Sequence, residues 1–145
     1  RPLDLAEHGL VDAIRAHAAS LHARTGLEID VRAPEDVRIS GGLDFQEDLY
    51  RITSEALHNV VKHANATAVE ISIEKDDPDL VVQVRDNGAA TSADVHDTRT
   101  RERLGLLSMR ERTERWGGRF EAGPCPDRGW VVRAAVPLLD GGHLR

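Results

Sequence analysis

The sequence predicts an α+β fold: a two-layer α/β sandwich in which three helices cover one face of a mixed, mostly antiparallel sheet. Three observations predict it. Apolar residues recur at spacings of three and four in three separate stretches. Short segments with the alternating or fully apolar pattern of strands lie between and after them. Those strands come largely in pairs joined by short turns, which makes hairpins and hence antiparallel neighbours.

The elements follow in order. Leu3, Leu10, Ile14, Ala18 and Leu21 mark an amphipathic helix over roughly 4–24, stopped by Thr25-Gly26. LEIDV (27–31) alternates as a short strand, ended by Ala33-Pro34. Residues 35–43 form a loop containing Gly41-Gly42. The second helix covers roughly 44–64, with Phe45, Leu49, Ile52, Ala56 and Val60 on its apolar face. AVEISIEK (68–75) and LVVQVRD (80–86) are strands, and Asp76-Asp77-Pro78-Asp79 is the hairpin turn between them. Residues 87–103 are polar, without apolar period, and read as a mobile loop. A third helix covers 104–116 and ends at Gly117-Gly118. RFEA (119–122) and WVVRAAVP (130–137) are closing strands joined by a Gly/Pro-rich turn. No internal repeat or low-complexity tract is visible.

Bulk properties narrow the function. A chain of 145 residues is the size of one domain with a real core, read here as 1–140 with a frayed tail at 141–145. With 40% hydrophobic and 30% charged residues it is globular, not disordered. A net charge of −6 argues against broad binding to nucleic acid or membrane, so any phosphate site must be local. Cys125 is the only cysteine and cannot form an internal disulfide, which fits a reducing compartment. No stretch reaches the roughly 18 apolar residues of a membrane span. The opening Arg1-Pro2, without Met, reads as an excised piece of a longer protein, with 1–3 the end of a linker.

Two motifs carry candidate chemistry. At about 100° per residue, Glu55, Asn59 and Lys62 fall within roughly 60° of one another on the second helix. An amide oxygen can serve Mg²⁺, which prefers oxygen ligands and keeps several waters. An ammonium can meet phosphates as a point charge, and a carboxylate can orient or deprotonate a nucleophile. A solvated helix edge with a Glu/Lys pair accounts for the same stripe. His63 turns back toward the apolar face, as a packed histidine or a phosphate contact. The second motif is Asp86-Asn87-Gly88, after Val81, Val82 and Val84. A carboxylate ending a buried strand can accept from the exocyclic amine of adenine, and Gly88 permits close backbone approach. An ordinary strand-ending Asn-Gly turn is the plainer reading. Arg99, Arg101 and Arg103 lie in the polar loop and suit a lid over phosphates. Gly105 is placed at a helix start, where free N–H groups and the dipole favour an anion. Met109, Thr113 and Trp116 are expected in the core. Arg110, Glu111 and Arg112 are expected on a solvated face.

The segments SEALHNVVKHANA, VVQVRDNGAA and LGLLSMRERTERWGG, in that order, resemble the ATP-binding domain of sensor histidine kinases, within the wider family that includes gyrase and MutL. The resemblance spans nearly the whole chain and implies the Bergerat ATP-binding fold. The Glu-x-x-x-Asn box with GLxxMRER is similar to the DesK-like and NarX-like class. By that resemblance Glu55 is the catalytic acidic residue, Asn59 the Mg²⁺ ligand, and Lys62 and His63 lie near the phosphates. Asp86 bonds the adenine amine, Gly88 shapes the pocket, and Gly105 with Leu106 closes the lid end. Departures stand at Ala90 and Arg103, where the family often has glycine, and at Gly129-Trp130, where it usually has Gly-Thr.

The resemblance further implies the cofactors ATP and Mg²⁺, a cytoplasmic location, and two partners. One is the kinase's own dimerisation and phosphotransfer hairpin, the other a NarL-type response regulator. The excised domain is expected to be a monomer and the parent a homodimer. His96-Asp97 imitates the acceptor box but lies between the glycine boxes without a helical period, so the acceptor His is expected upstream of Arg1. Two rivals remain: a degenerate module that only docks partners, motivated by Ala90, Arg103 and Trp130, and a stand-alone ATPase or serine kinase of the same fold.

Overall fold

In a computed structural model of the chain, residues 3–33, 42–63, 65–88 and 100–138 are described. Among the described residues the elements follow in the order α1 (Leu3–His8), α2 (Leu10–Thr25), β1 (Glu28–Arg32), α3 (Leu43–His63), β2 (Ala68–Asp76), β3 (Asp79–Asp86), α4 (Thr100–Arg115), β4 (Arg119–Pro124) and β5 (Trp130–Pro137). The sheet has the order β1-β2-β3-β5-β4. Only β1 and β2 are parallel, and α3 lies in the crossover that such a pair requires. The other neighbours are antiparallel. The helices pack on one side of this mixed sheet, the architecture anticipated from the sequence.

Strand alternation decides which side is covered. Val69, Ile71 and Ile73 of β2, Leu80, Val82 and Val84 of β3, and Val132, Ala134 and Val136 of β5 are buried. Register stacks them across the sheet, Ile71 opposite Val84 and Ile73 opposite Val82. Phe45, Leu49, Ile52, Ala56, Leu57 and Val60 of α3 close over them. Each such aliphatic side chain removed from water contributes about 1.5–3 kcal/mol, so α3 is tied to the sheet along its whole length.

Three elements differ from the sequence expectation. The first helix breaks at Gly9, whose φ of 90° lies outside the helical region. The apolar spacing runs on through the break, and Leu10, Ile14, Ala18 and Leu21 are buried as anticipated. The N–H of Leu10, freed by the new helix start, donates to Gln46 Oε1 of α3 at 3.1 Å. β1 is displaced by one residue, to 28–32. α4 begins at Thr100, a turn earlier than expected, because Arg101, Glu102 and Arg103 are good helix formers even without apolar period. The rest of the anticipated 87–103 loop from residue 89 to 99, the loop at 34–41 and the tail lie outside the described residues.

Candidate functional site

The first wall of the site is α3. Asn59 and Glu55 are half-buried on it and Lys62 is exposed. Their common stripe borders the apolar face, so one side of α3 is anchored while the polar edge stays accessible. The His63 backbone ends α3, but its side chain lies outside the described residues, as does all of Ala90.

The second wall is the end of β3, against which α3 packs. Asp86 is 4% exposed. Its carboxylate accepts the N–H of Gly88 at 2.7 Å and the N–H of Trp130. Burial pushes its pKa up, and the two backbone donors oppose that shift without cancelling it. Among the described residues no side-chain cation pairs with this buried carboxyl, an expensive feature in a fold that marks Asp86 as a functional candidate. Gly88 is buried beside it.

Asn87 has a different task. Its Oδ1 accepts the N–H groups of Thr67 and Ala68 at 2.9 and 3.0 Å, and its Nδ2 donates to the Thr67 hydroxyl at 3.0 Å. Asn87 is therefore a clamp on the α3–β2 connection.

The β4–β5 connection closes on the same spot. Gly129 has φ 91°, and a Cβ there would strike the backbone carbonyl of Asp86. Arg128 Nε donates to the carbonyl of Asn87 at 2.8 Å. Gly129-Trp130, a departure in sequence, thus stands beside Asp86, and Trp130 serves the carboxylate through its backbone, which any residue other than proline could do.

The third part is α4, and here the sequence expectation needs correction. Gly105 is the sixth residue of α4, not its start, so it carries none of the free N–H groups of a first turn. Its value is space. Gly105 is buried, and a Cβ on it would lie 2.6 Å from Glu55 Oε2. Leu106 packs against the core, and Arg103 is exposed. Met109, Thr113 and Trp116 are core contacts as expected, Trp116 meeting Phe45 edge to face at 5.2 Å.

Arg112 is a second correction. Instead of a solvated face it is half-buried and ion-paired with Asp48 of α3 at 2.6 Å. Asp48 also accepts from Arg115 at 2.9 Å and from the Trp116 indole at 2.7 Å. Sequence reading missed this cluster. Its signal was present: Asp48 is a charged residue on the face defined by Phe45, Leu49 and Ile52, and such a residue needs a partner.

Between α3 and α4 lies an open cleft of about 300 Å³, lined by Tyr50, Arg51, Ser54, Glu55, His58 and Ser108 among others. It shares Glu55 with the stripe but excludes Asn59 and Asp86, so it adjoins the two walls without coinciding with them.

A mixed sheet with helices on one side and a buried Asp ending its central strand defines a class before it defines a relative. Residues 44–140 match the model of the histidine kinase-, DNA gyrase B- and HSP90-like ATPases, and the chain belongs to that family. Among curated proteins it is similar to the sensor protein VraS of Staphylococcus aureus, 29% identical over 138 residues. VraS of Staphylococcus haemolyticus is 28% identical over the same length. The match covers 95% of this chain but 38% of each relative, so the chain spans well under half the length of these proteins. Among solved structures, the Erythrobacter litoralis blue-light activated histidine kinase superposes with TM-score 0.70 at 20% identity, over 89% of this chain and 45% of that one. The Acinetobacter baumannii histidine kinase AdeS gives 0.65 at 13% identity, over 90% and 64%. At these identities the superpositions speak to fold. No helix among the described residues is long and apolar enough to cross a membrane.

Proposed function

We propose that residues 1–140 are the ATP-binding catalytic domain of a two-component sensor histidine kinase. In this reading the domain binds Mg-ATP and donates the γ-phosphoryl to a His on a dimerisation hairpin elsewhere in the parent protein, from which it passes to a NarL-type regulator. The observation that carries the reading is Asp86. It is a buried carboxyl held open by two backbone N–H groups and walled by Gly88 and Gly129, in a chain that belongs to this ATPase family.

Each residue then has a task. The Asp86 carboxylate accepts the exocyclic amine of adenine, a bond that a guanine carbonyl cannot make. Gly88 permits close approach of the ring to the backbone, and Gly129 lets the β4–β5 connection pass against the Asp86 carbonyl. Bound Mg²⁺ would neutralise phosphate charge. The chemistry of the donor fits it: Asn59, half-buried on the accessible edge of α3, offers one amide oxygen to an ion otherwise liganded by phosphate and water. Lys62, His63 and Arg103 complement phosphate charge. Glu55, backed by Gly105, polarises the incoming imidazole at the mouth of the cleft. Positioning and charge neutralisation supply most of such a phosphoryl transfer.

Isothermal titration with ATP tests this. Saturable binding is expected for the wild type, a large loss of affinity for Asp86→Asn, and no gain in affinity from Mg²⁺ for Asn59→Ala. A wild type that binds no nucleotide at about 1 mM, a threshold of −4.1 kcal/mol, leaves the docking-module reading instead.

A further inference from the structure

The buried Asp48 carboxylate is fully satisfied by the half-buried Arg112, the exposed Arg115 and the Trp116 indole, and the nucleotide reading assigns it no task. Asp48 is 4% exposed, and both its oxygens are used, Oδ1 by Arg112 and Oδ2 by Arg115 and the Trp116 indole. The three donors sit at positions 112, 115 and 116, the spacing that places side chains on one face of a helix. One carboxylate of α3 therefore grips the last turns of α4.

The grip is in register with the site. Asp48 and Glu55 are two turns apart on α3, and Gly105 and Arg112 are two turns apart on α4. Asp48 meets Arg112 and Glu55 meets Gly105, so the helices run antiparallel with two matched contacts about 10.5 Å apart. The contacts differ in kind. At the Glu55 end the contact is a gap, the missing side chain of Gly105. Sliding α4 by one residue, about 1.5 Å, would bring Leu104 or Leu106 toward the Glu55 carboxylate. A gap alone does not resist such a slip, whereas three directional hydrogen bonds to one buried carboxylate do, acting with the buried Met109 and Thr113 of α4.

We propose that Asp48 is a positioning residue of the nucleotide site: through Arg112, Arg115 and Trp116 it fixes the axial register of α4, and so keeps Gly105 opposite Glu55. This rests on the reading of Asn59 and Lys62 on α3 and of Arg103, Gly105 and Leu106 on α4 as parts of a Mg-ATP site. It places the control of that site two turns along the helix pair, at a carboxylate outside the cleft whose partner Arg112 lines the cleft together with Glu55.

The test uses this chain with Asp48→Asn and Arg112→Met. Ile73→Ala in the centre of β2 serves as a control of comparable instability that leaves the Asp48 contacts in place. Two quantities are read, amide hydrogen exchange over residues 103–107 relative to β3, and Mg-ATP affinity by titration. Both cluster variants should speed exchange at 103–107 selectively and weaken affinity about tenfold, an ordinary coupling between separated groups. The double variant should lose little more than either single one. Ile73→Ala should leave affinity within about twofold of wild type, because it removes no hydrogen bond of the Asp48 cluster. Unchanged exchange at 103–107 in Asp48→Asn overturns the proposal. Faster exchange with unchanged affinity also overturns it, since Asp48 would then be a stabilising contact alone. A wild type without nucleotide binding is a different result: it removes the functional reading, and the assignment with it.

Discussion

Gly105→Ala separates stability from function in one substitution. Gly105 lies inside α4, and alanine in a helix interior is favoured over glycine by about 1 kcal/mol. Against this, the new Cβ would stand 2.6 Å from Glu55 Oε2, which must retreat by about 0.8 Å to reach the 3.4 Å of ordinary contact. The obstacle is the far end of a flexible side chain, not backbone. Moving Glu55 off its rotamer costs roughly 0.5–1.5 kcal/mol. The two effects nearly cancel, so chemical denaturation should place the variant within about 1 kcal/mol of wild type. Function should not be spared. Misplacing a group at a reacting centre by about 1 Å can cost roughly a hundredfold in rate. Autophosphorylation of the longer kinase in which we place this chain should fall by that order, with Mg-ATP affinity changed far less. A loss of more than about 2 kcal/mol in stability would show that the helices cannot relax around Glu55 as reasoned here. An unchanged transfer rate would show that the Glu55 position does not matter.

Two further substitutions follow from the second wall. Gly129→Ala meets the carbonyl of Asp86, which cannot move aside, and must also hold φ 91°, so it should cost more than about 2 kcal/mol in urea denaturation. Asp86→Asn should bind nucleotide far more weakly and yet change stability in a pH-dependent way. Because burial raises the Asp86 pKa in the folded state, the native protein holds this proton more tightly than the unfolded chain. The wild type therefore loses stability from this group as pH rises from the unfolded carboxyl range through the folded pKa, and the loss is complete above it. Denaturation of both proteins across the acidic range should show Asp86→Asn lacking that component.

The parts legible in the sequence were those written in periodicity and chain order. The α3 face, from Phe45 to Val60, and the β5 segment Trp130–Pro137 show how far spacing reaches, because burial in a layer imposes a period. Gly9 shows where it stops. The apolar spacing is continuous through it, and only the backbone torsion, paired with Gln46 across the helix layer, reveals the break. Gly105 was singled out for the wrong property, a free N–H, because the start of α4 depends on residues without apolar period. The contact between Gly105 and Glu55 is a meeting of positions fifty residues apart, and no local pattern encodes it. Asp48 was legible in principle as a charge on an apolar face, but its partners on α4 required the helix pairing to be known.

The central claim is that a nucleotide sits between the α3 stripe and the end of β3. Amide chemical-shift mapping of the chain on titration with Mg-ATP tests it most directly. Saturable shifts are expected at Asn59, Asp86, Gly88, Gly129 and Trp130, with Ser72, Gln83 and Arg133 in the middle of the sheet unaffected. Shifts confined elsewhere, or none at saturating nucleotide, would contradict the account.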